Sequence, residues 1–103
     1  MELAQLRYFL DVAETEHVTR SAERLHIAQP SLTRSIHNLE EELGVPLFVP
    51  RGRNIALSEY GRYLVKKLAP LVAELDGLPE LMRNIANLKN ETIHLNVLAA
   101  STF

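Results

Sequence analysis

Between Leu25 and Gly44 of this 103-residue chain, polar side chains are interleaved with apolar ones at helical spacing. Leu32, Ile36, Leu39 and Leu43 recur at intervals of four, three and four, which makes one face of a helix. The other face carries Gln29, Ser31, Thr33, Arg34 and His37, short polar groups near the N-terminus and an arginine one turn further in. Such a surface has the chemistry to read a nucleic-acid duplex, because a helix fits the major groove and its N-terminal residues reach base edges. Gln29 offers the donor and acceptor that adenine requires, Arg34 suits a guanine edge or a phosphate, and Ser31 and Thr33 suit the sugar-phosphate backbone. Plainer roles stand beside these: Gln29 as a helix-start cap, Arg34 as half of a surface ion pair. Arg51 and Arg53 lie in a stretch from Val45 to Ser58 without any acid, where they either meet phosphate and minor groove or are solvated tip charges.

Other chemistry has less to stand on. His17, His26, His37 and His94 are not spaced as metal ligands, so neither a metal nor a cofactor is expected. Glu40, Glu41 and Glu42 are consecutive on one helix and point in different directions, which reads as a solvated helix end rather than a carboxylate pair. With no nucleophile-base pair either, an enzyme is not expected. The chain has no cysteine, which removes disulfides and thiolate sites and fits the cytoplasm. It shows no leader pattern, and no apolar run nears the ~20 residues of a membrane span. The net charge of −2 is unusual for a phosphate binder, but its distribution matters more than its sum. From His17 to Leu39, Arg20, Arg24 and Arg34 face Glu23 alone, while the acids gather at Glu2 to Glu16, Glu40 to Glu42 and beyond Glu59.

The elements that must position these residues follow from spacing and punctuation. Leu3, Leu6, Phe9, Leu10 and Ala13 form the apolar stripe of a first helix, with Glu2, Asp11, Glu14 and Glu16 largely off it. Thr19 offers a capping hydroxyl to a short second helix with Ala22 and Leu25 inward, and His26-Ile27-Ala28 separates it from the third. Pro30 suits that helix's first turn, Gly44 its left-handed end, and Pro46 prevents resumption. Leu47-Phe48-Val49 and Ile55-Ala56-Leu57 then flank Pro50-Arg51-Gly52-Arg53-Asn54, a hairpin with a basic tip. Ser58 can cap a further helix, and Gly61 in its first turn implies a close backbone approach.

From there Leu64, Leu68, Leu71, Leu75, Leu78, Met82 and Ile85 alternate spacings of four and three, the period of a helix-pairing seam. An intramolecular core stripe is the alternative. Pro70 predicts a kink, and Gly77 to Pro79 a break in which glycine ends one helix and proline starts the next. Ile93, Leu95 and Val97 alternate with His94 and Asn96 as in a half-buried strand, read as the beginning of a further domain. The fold class expected is thus mainly α with a small β-hairpin: a winged helix-turn-helix over 1–58, a linker and dimerisation helix over 59–89, and the start of an effector-binding domain over 90–103.

Helix, short helix, tight turn, helix and basic hairpin, in that order, are more specific together than any one part. The runs QLRYFLDVAE, SAERLHIAQPSLTRSIHNLEEELGVPLF and GRNIALSEYG resemble the N-terminal part of LysR-type transcriptional regulators over roughly the first 61 residues. The resemblance implies a homodimeric, often tetrameric bacterial regulator with paired linker helices and a small-molecule effector domain after them. Carried over position by position, it implies DNA contacts at Gln29, Pro30, Ser31, Thr33 and Arg34, and at Arg51 and Arg53 in the wing. Three places depart from the family pattern: Ala28 where serine is usual, Pro50 where a charged or polar residue is usual, and the Gly77 and Pro79 pair in the linker. The expectation is sequence-specific binding of double-stranded DNA at an inverted-repeat operator, with a protein-interaction module as the alternative.

Overall fold

The computed structural model describes residues 1–95, in two units that divide between Pro70 and Leu71. The first contains α1 (Leu3–Thr15), α2 (Val18–Leu25), α3 (Gln29–Leu43), the hairpin β1 (Phe48–Arg51) and β2 (Asn54–Leu57), and the start of α4 (Glu59–Asp76). The second continues α4 and holds α5 (Leu78–Leu95). This is a winged helix-turn-helix followed by two helices.

The core of the first unit is built by Phe9 and Val12 of α1, Ala22 of α2, Leu32, Ile36 and Leu39 of α3, and Leu47. Leu32, Ile36 and Leu39 are buried at the expected spacing, whereas Leu43, in the last turn of α3, is exposed. In α1 the buried face centres on Phe9 and Val12, whereas Leu3 is exposed and Leu6, Leu10 and Ala13 are half-buried, so the stripe lies about one residue round from the one expected. The Phe9 ring packs against Phe48 of β1 at 5.6 Å and a 55° tilt, which ties the hairpin to the helices.

Each helix end has a local cause. The α1 helix closes on Glu16, which is left-handed (φ 50) and donates its N–H to Val12 O at 2.7 Å. The cap of α2 is His17, not Thr19: its imidazole accepts Arg20 N–H through Nδ1 at 3.1 Å. Thr15 explains the shift, since its hydroxyl donates to His17 O and accepts His17 N–H, both at 3.1 Å, and meets the buried Ser21 hydroxyl at 2.7 Å. That network fixes His17 in the extended conformation of a cap and moves the helix start two residues earlier. At the other end His26 is left-handed (φ 56), and Ile27 N–H returns to Ala22 O at 3.1 Å, the six-to-one bond that closes a helix. Ala28 gives α3 no side-chain cap, Pro30 lies in its first turn, and Gly44 (φ 76) ends it.

The hairpin is tighter than its composition implied. Arg51 pairs with Asn54, so the loop is Gly52-Arg53 alone, with Gly52 at φ 60. Positive φ at the first loop position only is the type II′ pattern that suits the twist of a hairpin. Ser58 N–H donates to Leu47 O at 2.9 Å, so in this antiparallel ladder the rungs at Val49/Ala56 and Arg51/Asn54 are the bonded ones. Pro50, opposite Ile55, therefore falls on an unbonded rung, where its missing N–H costs nothing.

Ser58 caps α4 as expected: its buried hydroxyl accepts Gly61 N–H at 3.0 Å and donates to Pro46 O at 2.6 Å. A Cβ on Gly61 would overlap Leu47 O and stand 2.8 Å from Leu57 Cδ2, so only glycine lets α4 begin this close to the hairpin. In the second unit Gly77 separates α4 from α5 and donates to Ala73 O at 3.0 Å and Glu74 O at 3.2 Å. Pro79 then sits in the first turn of α5, where it lacks a donor that had no helical partner. The strand expected from Ile93 is not formed: α5 runs through Leu95, and Val97 lies outside the described residues. The physical reason is that a lone strand leaves its ladder groups unpaired, while a helix satisfies them within itself.

Candidate nucleic-acid interface

The α2–turn–α3 unit leaves one side of α3 open. Gln29, Pro30, Ser31, Arg34 and His37 are exposed and Thr33 is half-buried. Gln29 Nε2 donates to Thr33 Oγ1 at 3.3 Å, one turn along the helix. This bond uses one of the two amide hydrogens, so Oε1 and the second N–H remain for the paired acceptor and donor of an adenine edge. The Ala28 methyl makes no capping hydrogen bond to the α3 N-terminus.

The arginines that look alike in sequence separate by their partners. Arg24 turns back onto α1, 3.3 Å from Asp11 Oδ2 and 3.4 Å from Glu14 Oε1, so its charge is spent inside the unit. Arg20, Arg34, Arg51 and Arg53 are exposed and make no ion pair among the described residues. The basic face is thus these guanidinium groups without Arg24.

Two depressions connect α3 with the wing. One, of about 200 Å³, is lined by His17, Val18, Thr19, Gln29, Arg53, Asn54 and Ile55, bringing the α2 start, the α3 start and the wing tip around one opening. The other, of about 260 Å³, runs between α3 and the hairpin past Thr33, His37, Val49 and Pro50. Thr19, expected as a cap, instead offers a free hydroxyl beside Arg53, a placement legible only once His17 takes the capping position. Arg51 lies on β1 rather than in the loop, and strand alternation sets it on the face opposite Phe48.

Sequence reasoning missed two further residues. Glu40, read as solvated, accepts Leu47 N–H at 2.7 Å and Phe48 N–H at 3.3 Å through Oε2. Glu16 accepts Leu57 N–H at 2.9 Å. Both acids hold the hairpin.

The family model described as bacterial regulatory helix-turn-helix protein, lysR family, matches residues 3–62. The chain belongs to the LysR family. It is 46% identical over 74 residues to the uncharacterized HTH-type transcriptional regulator YybE of Bacillus subtilis, covering 72% of this chain and 25% of that one. It is 39% identical over 102 residues to the HTH-type transcriptional regulator IlvR of Caulobacter vibrioides, covering 99% of this chain and 34% of that one. The chain thus spans about a quarter to a third of these relatives. Among solved structures, the complex of the DBD of BenM, a regulator of Acinetobacter baylyi, with catB site 1 DNA superposes with a TM-score of 0.77 at 38% identity. That match covers 84% of this chain and 97% of the other. Regulators of the LysR family are the setting in which the open α3 ridge and the basic wing have to be understood.

The seam residues lie on α4 and α5. Leu68 is buried within the chain, Leu64 and Ile85 are half-buried, and Leu71, Leu75, Leu78 and Met82 stand 45% to 56% exposed. Leu71, Leu75 and Leu78 line a shallow apolar depression with Glu74 that crosses the break at Gly77. No group of acids and histidines among the described residues is arranged to hold a metal, and no helix there is long and apolar enough to cross a membrane.

Proposed function

We propose that this LysR-type helix-turn-helix domain binds double-stranded DNA at an inverted-repeat operator as a homodimer, with α3 in the major groove and the wing beside the minor groove. The observation that carries the reading is the unpaired Arg34 on the same open α3 ridge as Gln29, Ser31 and Thr33, while the neighbouring Arg24 is consumed by Asp11 and Glu14. Gln29 reads a base edge, Arg34 a base edge or a phosphate, Ser31 and Thr33 hold the backbone with Pro30 packed close to it, and Arg51 and Arg53 meet phosphate or a narrow minor groove. The similarity to a DBD solved in complex with DNA supports DNA as the partner of this domain.

Pairing runs along the exposed apolar side chains Leu71, Leu75, Leu78 and Met82, with the half-buried Leu64 and Ile85, whereas Leu68, expected in the same seam, is buried within the chain. Burying such a stripe between two copies is favourable, and a symmetric pair presents two α3 helices to two half-sites. A small-molecule effector would act through a further domain and not through these residues, which span about a quarter to a third of the relatives' length.

The test is a titration of Arg34→Ala against an A/T-rich inverted-repeat duplex at fixed salt. Loss of about 1–3 kcal/mol in binding free energy is expected. Unchanged affinity removes Arg34 from the interface, and a chain that shifts no duplex at all leaves the ridge to a protein partner.

A further inference from the structure

The hairpin that carries Arg51 and Arg53 is gripped at its base from both edges. Because the bonded rungs are Val49/Ala56 and Arg51/Asn54, with Ser58 N–H bonded back to Leu47 O, the rung Phe48/Leu57 has its N–H groups pointing away from the ladder. Both are taken by carboxylates: Phe48 N–H by Glu40 of α3 at 3.3 Å, and Leu57 N–H by Glu16 at 2.9 Å. Glu40 sits within an ordinary helix. Glu16 reaches Leu57 across 41 residues of sequence from a left-handed position (φ 50, ψ 33). An L side chain is disfavoured there, and glycine would close α1 more cheaply. What glycine could not supply is the carboxylate.

We infer that Glu16 is a positioning residue for DNA recognition: through the Leu57 amide it sets where the wing, and with it Arg53, stands relative to α2 and α3. This rests on the reading of the wing arginines as DNA contacts. The lever is long enough to matter. The Arg51/Asn54 rung lies three rungs beyond Phe48/Leu57, roughly 10 Å at 3.3 Å per residue. A tilt of about 15° at the base then moves the tip by roughly 2.5 Å, enough to take a guanidinium out of hydrogen-bond range of a phosphate. Phe48 holds the β1 side by its ring contact with Phe9 as well as by Glu40, whereas on the β2 side the Leu57 amide is held by Glu16.

The experiment uses the duplex that the wild-type chain enriches from a randomised pool, and compares wild type, Glu16→Gly, Glu16→Gln, a wing lacking both arginines (Arg51→Ala with Arg53→Ala), and that wing combined with Glu16→Gly. Glu16→Gly removes the carboxylate and the left-handed strain together, so its melting midpoint is not lowered, the Leu57 amide exchanges faster, and the duplex is bound about fivefold more weakly. Glu16→Gln, which keeps an acceptor oxygen, restores most of the affinity. In the arginine-free wing, Glu16→Gly costs less than about twofold, because two changes acting through one element do not add. Wild-type affinity in Glu16→Gly, or an equal loss with and without the wing arginines, overturns the positioning role while leaving the wing contacts standing. An arginine-free wing that binds as tightly as wild type overturns the wing reading and the positioning role with it.

Discussion

Ser58→Ala tests the junction on which the hairpin and α4 both depend. The Ser58 hydroxyl is buried, donates to Pro46 O at 2.6 Å and accepts Gly61 N–H at 3.0 Å. Replacing such a cap by alanine costs about 0.5–2 kcal/mol in general. Here the cost belongs near the upper end, because Gly61 is itself buried and its orphaned N–H has no route to water. The exposed Pro46 is re-solvated and adds little. A loss of about 2 kcal/mol corresponds to a fall in melting midpoint of roughly 8–16 °C for a domain of this size. The assay is thermal unfolding followed by far-ultraviolet circular dichroism, with Ser31→Ala, on the exposed α3 ridge, as a control that shifts by less than about 0.5 kcal/mol. A Ser58→Ala midpoint within about 3 °C of wild type would refute the reasoning that this hydroxyl joins the two elements.

Gly61→Ala places a methyl against Leu47 O and Leu57 Cδ2 and is expected to destabilise by about 1–3 kcal/mol in the same melt, with no loss meaning that α4 can back away freely. His17→Ala removes the α2 cap and costs about 1 kcal/mol, while His17→Ser recovers most of it; equal melts for the two variants contradict the Nδ1 cap. Arg24→Ala leaves Asp11, with one buried carboxylate oxygen already lacking a hydrogen bond, without its ion pair. It lowers stability by up to about 1 kcal/mol and leaves the salt dependence of DNA binding unchanged, whereas Arg53→Ala flattens that dependence by about one unit. Measured slopes in the opposite order would mean that the two arginines have been assigned the wrong way round.

Much of the frame is legible in the chain because it is local. The Leu32, Ile36, Leu39 stripe, the glycine stop at Gly44, the Ser58 cap and the close approach at Gly61 each follow from a side chain and its near neighbours. The break between α4 and α5 follows from Gly77 and Pro79 in the same way. What is not legible depends on distant parts of the fold. Glu16 meets Leu57 across 41 residues, and nothing in the neighbourhood of either announces it. Glu40 reads as one of three similar acids until the loop after α3 folds back and presents Leu47 and Phe48 N–H to it alone. Spacing cannot tell Arg24 from Arg34 either; the difference is that α1 offers Asp11 and Glu14 to the first and nothing to the second. The alternation from Ile93 misleads because period two is a weak signal over a few residues with no second strand to pair, and a helix already under way through Leu88 continues across it.

The most direct measurement is selection of DNA from a randomised pool by the wild-type chain and by Arg34→Ala in parallel. Two α3 ridges presented together should enrich an inverted repeat whose half-site centres lie about one helical turn, or a whole multiple of it, apart. The Arg34→Ala pool should lose base preference at one position in each half-site or weaken uniformly if the contact is to phosphate. Pools without a common motif, or identical motifs and affinities from the two proteins, would contradict the claim that the open side of α3 enters the groove.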